Sequence, residues 1–177
     1  MIDHARHSVS ASAVIRELQA CSITHVVTVP DMLQIATHQA LDNPEHGIRQ
    51  INCATEDQAI EVSAGLWAGG ADNAIIVQNQ GLYAGLNSLR ALGLDSRIPM
   101  MFLVGQFGRE WSNLGQEPSL SKRRMVYMLE PLLELLGIPF WRLDSPEDAA
   151  LIRTAWAASK ERRGPVVLII GHFVGFN

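Results

Sequence analysis

Residues 48–77 read IRQINCATEDQAIEVSAGLWAGGADNAIIV, and their pattern decides the fold class. Positions 48–53 read as a strand. Thr55 and Gln58 then form a T-x-x-Q capping pair, which predicts a helix over 55–70 that Gly69-Gly70 ends. Ala74-Ile75-Ile76-Val77 is a short, uniformly apolar strand. Strand, helix and strand in that order make a crossover unit. Uniformly apolar strands are buried on both faces, as in a parallel sheet covered by helices.

The flanks continue the alternation. Upstream, Ser8 or Ser10 can cap a helix to about residue 20, with Ala13, Val14 and Leu18 on one face. Residues 25–29 form a β-branched strand that Pro30 ends, and Asp31 can cap a helix through 41 before Asn43-Pro44 and Gly47 break the chain. Downstream, a helix over 82–94, weakened by Gly85 and Gly93, precedes a buried strand over 99–104 and a long loop over 105–121. A helix over 122–136, interrupted near Pro131, leads to a strand over 140–143. Ser145 caps a helix that Pro146 opens and that runs to about 163, and the last strand covers 166–170. The expected fold is α/β: one domain over residues 1–177, built on a six-stranded, mostly parallel sheet with helices on both faces and right-handed crossovers.

With 177 residues, 47% of them hydrophobic and 18% charged, the chain can bury a sizeable core and lacks the composition of a disordered segment. The formal net charge is -4, and the basic clusters at 122–124 and 160–163 read as solvated helix ends, not as a nucleic-acid footprint. No apolar run reaches membrane-spanning length, and residues 1–10 lack the apolar segment of a signal peptide. A cytoplasmic setting without nucleic-acid or membrane partners is expected. Cys21 and Cys53 have neither metal-pair nor disulfide-framework spacing, so no metal site is expected on the chain. The phosphate loop G-x-x-x-x-G-K-[ST], a G-x-G-x-x-G after the first strand, G-x-S-x-G and H-E-x-x-H are all absent.

Open parallel sheets bind ligands beyond the carboxyl ends of their strands. Four segments meet that condition: Pro30-Asp31, Ala54-Thr55-Glu56, Asn79-Gln80-Gly81 and the loop from Gly105. Around them stand Val29-Pro30-Asp31, then Ala54-Thr55-Glu56-Asp57-Gln58-Ala59-Ile60-Glu61 leading to Ser63-Ala64-Gly65. Gln78-Asn79-Gln80-Gly81-Leu82, Asn87-Ser88-Leu89 and Ile98-Pro99-Met100 follow. In order and spacing, residues 29–117 resemble the pyrimidine-binding (PYR) domain of thiamine diphosphate enzymes. More narrowly, they resemble the sulfopyruvate decarboxylase alpha subunits and the N-terminal half of phosphonopyruvate decarboxylases.

The resemblance implies the alpha subunit of a thiamine diphosphate-dependent decarboxylase acting on a small anionic 2-oxoacid, sulfopyruvate- or phosphonopyruvate-like. Glu56 matches the family's catalytic glutamate, which sits beside N1′ of the aminopyrimidine and promotes the imino tautomer that takes the C2 proton. On the sequence pattern alone, Glu56 is also an acidic residue in a first helical turn, where the helix dipole favours it. The resemblance sets Pro30, Asn79, Gln80, Gly81 and Leu82 against the cofactor, Leu82 as apolar wall. Asp31, a helix cap by its own position, is by resemblance also a substrate-facing residue, with Gln106, Arg109 and Gln116 as further candidates. Arg109 either grips a substrate anion bidentately or is an exposed loop arginine.

The family holds the diphosphate and Mg²⁺ mainly through a second domain with a G-D-G…N motif, and this chain has no such motif. A separate beta subunit carrying the diphosphate-binding (PP) domain is therefore implied, together with self-association at least to a dimer through helices over 82–94 and 125–136. Departures exist. Gln80, Tyr83 and Ala84 interrupt the family's N-S-G-L-G-N pattern, and Gln106-Phe107-Gly108-Arg109-Glu110 replaces a W-R-G-E run one residue out of register. Glu117-Pro118-Ser119-Leu120 stands where phosphonopyruvate decarboxylases show E-P-Q-H. These leave open a PYR-type subunit of a carboligase, or a non-catalytic regulatory or assembly subunit of the same fold.

Overall fold

In the computed structural model, which describes residues 4–176, the alternation resolves into six strands. They are β1 (His25–Thr28), β2 (Arg49–Asn52), β3 (Asn73–Gln78), β4 (Met100–Gly105), β5 (Phe140–Leu143) and β6 (Pro165–Ile170). Every neighbouring pair is parallel, in the order β2-β1-β3-β4-β6-β5. The helices are α1 (Ala11–Ala20), α2 (Ile35–Leu41), α3 (Glu56–Ala68), α4 (Asn79–Ala84), α5 (Leu86–Ser88), α6 (Arg124–Tyr127), α7 (Leu129–Leu135) and α8 (Leu151–Arg162). Among the described residues no helix is long and apolar enough to cross a membrane.

The period of two along each strand divides the core. Ala74, Ile76, Met101, Leu103, Val166, Leu168 and Ile170 face one side and pack with α1, α2 and α8. Ile75, Val77, Phe102, Val104, Val167 and Ile169 face the other and pack with Ile60 and Ala64 of α3, Leu82 of α4, and Leu129 and Leu133 of α7. Helices thus cover both faces, which is why β4, β6 and the middle of β3 (residues 74–77) are apolar on both sides. β2 is an edge strand, and its Arg49 and Asn52 are exposed.

Local differences from the sequence pattern have local causes. Ser10, not Ser8, caps α1 by accepting from the Ala13 N–H. Thr55 caps α3 without a side-chain bond, and Gln58 Oε1 reaches back past it to the Ala54 N–H at 2.9 Å, so no capping box forms. Asp31 does cap, but through a 3₁₀ turn (Met32–Gln34) that precedes α2. The expected helix over 82–94 starts earlier, as α4, stops at Gly85 and ends in a π-helical stretch (Leu89–Asp95). Gly85 is needed for close packing: a Cβ there would lie 2.7 Å from Ile60 Cδ1. The segment before Pro131 breaks at Met128, because the proline ring collides with the carbonyl four residues back and is tolerated only in the first turn of α7.

Candidate active-site edge

The chain leaves β1 for β2 on one side and then returns to β3 on the other, so the connections diverge between β1 and β3. Such a divergence opens a crevice at the carboxyl edge of the sheet. Glu56, the first residue of α3, stands at this edge half-buried. Its carboxyl group lies against the backbone of Gly81 in α4. A Cβ on Gly81 would fall 2.5 Å from Glu56 Cδ and closer still to Cγ and Oε1. Two segments separated by a strand and a helix are therefore in direct contact, and the helix N-terminus favours the negative charge placed there.

The remainder of 79–82 is distributed between core and surface. Asn79 is wholly buried, its Nδ2 donating to the carbonyls of Phe107 (3.1 Å) and Met125 (2.8 Å), while its Oδ1 accepts from the Gln80 N–H. Tyr83 Oη donates to the same Met125 carbonyl at 2.7 Å. Asn79 thus ties α4 to the loop after β4 and to α6. Gln80 is exposed, with Nε2 on Met125 Sδ. Leu82 is wholly buried among the core residues beneath α3 and α4, so the apolar wall expected of it is not on the surface: its side chain is drawn inward by the apolar contacts there. Pro30 is exposed just beyond β1.

Asp31 is 1% exposed. Its carboxylate accepts from the Leu33 N–H (3.0 Å) and from Gln34 Nε2 (2.8 Å). Its own N–H donates to His38 Nε2, which leaves Nδ1 of that ring to donate to Gln50 Oε1 at 2.9 Å. The carboxylate also presses on Gly105, the last residue of β4. Burial pushes the Asp31 carboxyl above its ordinary value of 3.8, against the lowering effect of the bonds from Gln34 and Leu33. A carboxyl raised on folding binds its proton more readily in the folded chain. Its contribution to stability is therefore complete below 3.8 and declines as pH rises through the higher folded value. Relative to Asp31→Asn, the parent is expected to gain stability as pH falls from about 7 to about 4. Urea unfolding of both chains across that range checks this, and a constant difference contradicts it.

The loop after β4 carries the remaining candidates. Gln106 is wholly buried: its Nε2 reaches the Val126 carbonyl at 3.4 Å and its Oε1 has no partner. It borders a cavity of about 580 Å³ beyond β4 and β6 whose lining includes Leu33, Arg123, Trp111, His172 and Phe173. His172 is buried with its ring edge-on to Trp111 at 4.9 Å. Arg109 is neither an exposed loop arginine nor a free anion grip. Its side chain is 2% exposed, and Nη1 bonds both oxygens of Asp144 at 2.9 and 3.2 Å. Nε bonds Asn113 Oδ1, and Nη2 bonds the Gln116 carbonyl at 2.8 Å. Folding the loop inward desolvates this guanidinium, and a buried charge must be paired. Gln116 is exposed and turns its amide to the Ser112 carbonyl of its own loop. Arg142 of β5 clamps the end of the loop through Glu117 and Glu130, each at 2.6 Å.

The two clusters, Glu56 with Gly81 and Asp31 with Gly105, share one edge, and Glu56 does not line the cavity. Reading the sequence missed Gly105 as the seat of Asp31, and it missed Gln34, Gln50 and His172. A glycine ending an otherwise apolar strand was the one local signal. As a hold for thiamine diphosphate, the half-exposed Glu56 carboxylate, backed by bare glycine, fits an aminopyrimidine ring nitrogen. Among the described residues no group of three His, Cys, Asp or Glu stands together to bind a metal.

No protein-family model matches the chain. Several curated proteins are similar to it along most of its length. It is 25% identical over 162 residues to the sulfopyruvate decarboxylase alpha subunit of Methanococcus maripaludis, covering 91% of this chain and 93% of that one. With the alpha subunit of the same name from Methanocaldococcus jannaschii it shares 23% over 158 residues, covering 89% and 90%. With phosphonopyruvate decarboxylase of Streptomyces viridochromogenes it shares 28% over 153 residues, which is 86% of this chain but 36% of that one.

Proposed function

We propose that the chain is the alpha subunit of a thiamine diphosphate-dependent decarboxylase acting on a small anionic 2-oxoacid, sulfopyruvate- or phosphonopyruvate-like, with Glu56 as its activating glutamate. The observation that carries this reading is the similarity, over 91% of the chain, to a protein named as an alpha subunit of a decarboxylase. The phosphonopyruvate decarboxylase match supports a divided enzyme, since there the same stretch is 36% of a longer chain. The remaining function falls to a separate beta subunit with the diphosphate-binding domain and most of the Mg²⁺ coordination.

Thiamine diphosphate supplies, when bound, the electron sink for loss of carbon dioxide. Glu56 holds its aminopyrimidine, with the backbone of 79–82 alongside. The start of α3 places that carboxylate at the carboxyl edge of the sheet, against the backbone of Gly81. Gln106, which borders the cavity, has a buried, unpartnered Oε1. With Arg109 committed to Asp144, Arg123 on the cavity lining is the cation for a second anionic group. The same reading pairs the chain with a second copy, and Leu135 on α7, 82% exposed, belongs to that surface.

The test is carbon dioxide release from a panel of 2-oxoacids, with thiamine diphosphate and Mg²⁺, by the chain co-purified with its diphosphate-binding subunit. Release from at least one short anionic 2-oxoacid is expected. Carboligation products alone point to the carboligase reading, and no turnover with any acid points to an assembly subunit.

A further inference from the structure

We propose that Gly81 is a positioning residue for Glu56: the bare Cα at 81 is the surface that sets where the Glu56 carboxylate stands. This rests on the reading of Glu56 as the activating glutamate. The geometry is specific to one glycine. A Cβ on Gly81 would meet three atoms of one side chain, Glu56 Cγ, Cδ and Oε1, with Cδ at 2.5 Å. A Cβ on Gly65, also in α3, would meet nothing within 4 Å. Gly81 does not adopt a left-handed backbone, so conformational freedom does not account for it.

Packing is the constraint that remains on the carboxylate. Among the described residues none hydrogen-bonds or ion-pairs with it. Glu56 is half-buried and has three side-chain torsions, so an added methyl group displaces the carboxyl end toward solvent and leaves the fold intact. Alanine is also the better helix former inside α4. Gly81→Ala should therefore separate two properties that a structural glycine would lose together: the melting temperature holds or rises while function falls.

The experiment has two arms. In the isolated chain labelled with ¹³C at glutamate carboxyls, the Glu56 resonance, assigned by its loss in Glu56→Ala, shifts in Gly81→Ala and stays in place in Gly65→Ala. In the assembled enzyme, Gly81→Ala lowers kcat by about 100-fold at saturating cofactor, the size expected when a catalytic group is displaced by about 1 Å. It lowers residual activity no further in the Glu56→Ala background, because the residue it acts through is gone. An unmoved Glu56 resonance, or an equal loss in both backgrounds, overturns the proposal. Should Gly81→Ala fail to fold, Gly81→Ala combined with Glu56→Ala must fold, since the colliding side chain is then absent; a double variant that stays unfolded also overturns it. If Glu56→Ala keeps full activity, the functional reading fails, while the resonance shift still reports on Gly81.

Discussion

Glu56→Ala, in the enzyme assembled with its diphosphate-binding partner, is expected to lower kcat by roughly 10²–10⁴-fold, with Glu56→Gln close behind. Both variants remove the ionised acceptor at the start of α3 and nothing that the fold depends on. Glu56 is half-buried, rests its carboxyl end on the backbone of Gly81, and opens a helix whose cap, Thr55, is untouched. Losing its charge from the first turn forfeits about 0.3–1 kcal/mol of dipole interaction, which alanine's helix propensity partly offsets. The melting temperature should therefore stay within a few degrees of the parent's, by about that energy. Asp57, the next residue, is the control. It is exposed, and the Thr55 hydroxyl beside it holds its carboxyl below the usual range. Asp57→Asn should leave turnover intact. Near-parental decarboxylation by Glu56→Ala would sink the assignment of this residue.

Gly105→Ala should be the most destabilising single methyl group at the site, at about 3 kcal/mol or more, from overpacking plus a disrupted buried hydrogen bond. The added Cβ would sit 2.7 Å from Asp31 Cγ, 2.9 Å from Oδ1 and closer still to Oδ2. Unlike Glu56, Asp31 cannot swing away. It is short, 1% exposed, and fixed by the Leu33 N–H and Gln34 Nε2. Moving it strands a buried amide whose Nε2 also donates to the Leu103 carbonyl of β4. Urea unfolding of the two chains measures the loss, and a difference below about 1 kcal/mol would show that the pocket around Asp31 has slack. The contrast between Gly81 and Gly105 is informative. One faces the movable end of a half-exposed side chain, so its substitution perturbs function; the other faces a locked carboxylate, so its substitution perturbs folding.

The residue pattern alone determined the class of fold and the edge on which chemistry would sit. Runs such as Ala74-Ile75-Ile76-Val77, apolar on both alternating faces, need cover on both sides, and in alternation with helical segments a parallel sheet between helices provides it. Caps at Ser10, Asp31 and Ser145 announced themselves because a side chain bonding a backbone N–H two or three residues on is a local event. Pairings between distant residues leave no such local trace. The order β2-β1-β3-β4-β6-β5, the contact of Glu56 with Gly81 and the seating of Asp31 on Gly105 were decided by the tertiary structure. So was the fate of Arg109. Its spacing in the loop suited either solvent or a ligand, but Asp144, 35 positions away, enters hydrogen-bonding range only once β5 lies beside β6. A guanidinium removed from water takes the nearest carboxylate, and which carboxylate is nearest is a property of the folded chain.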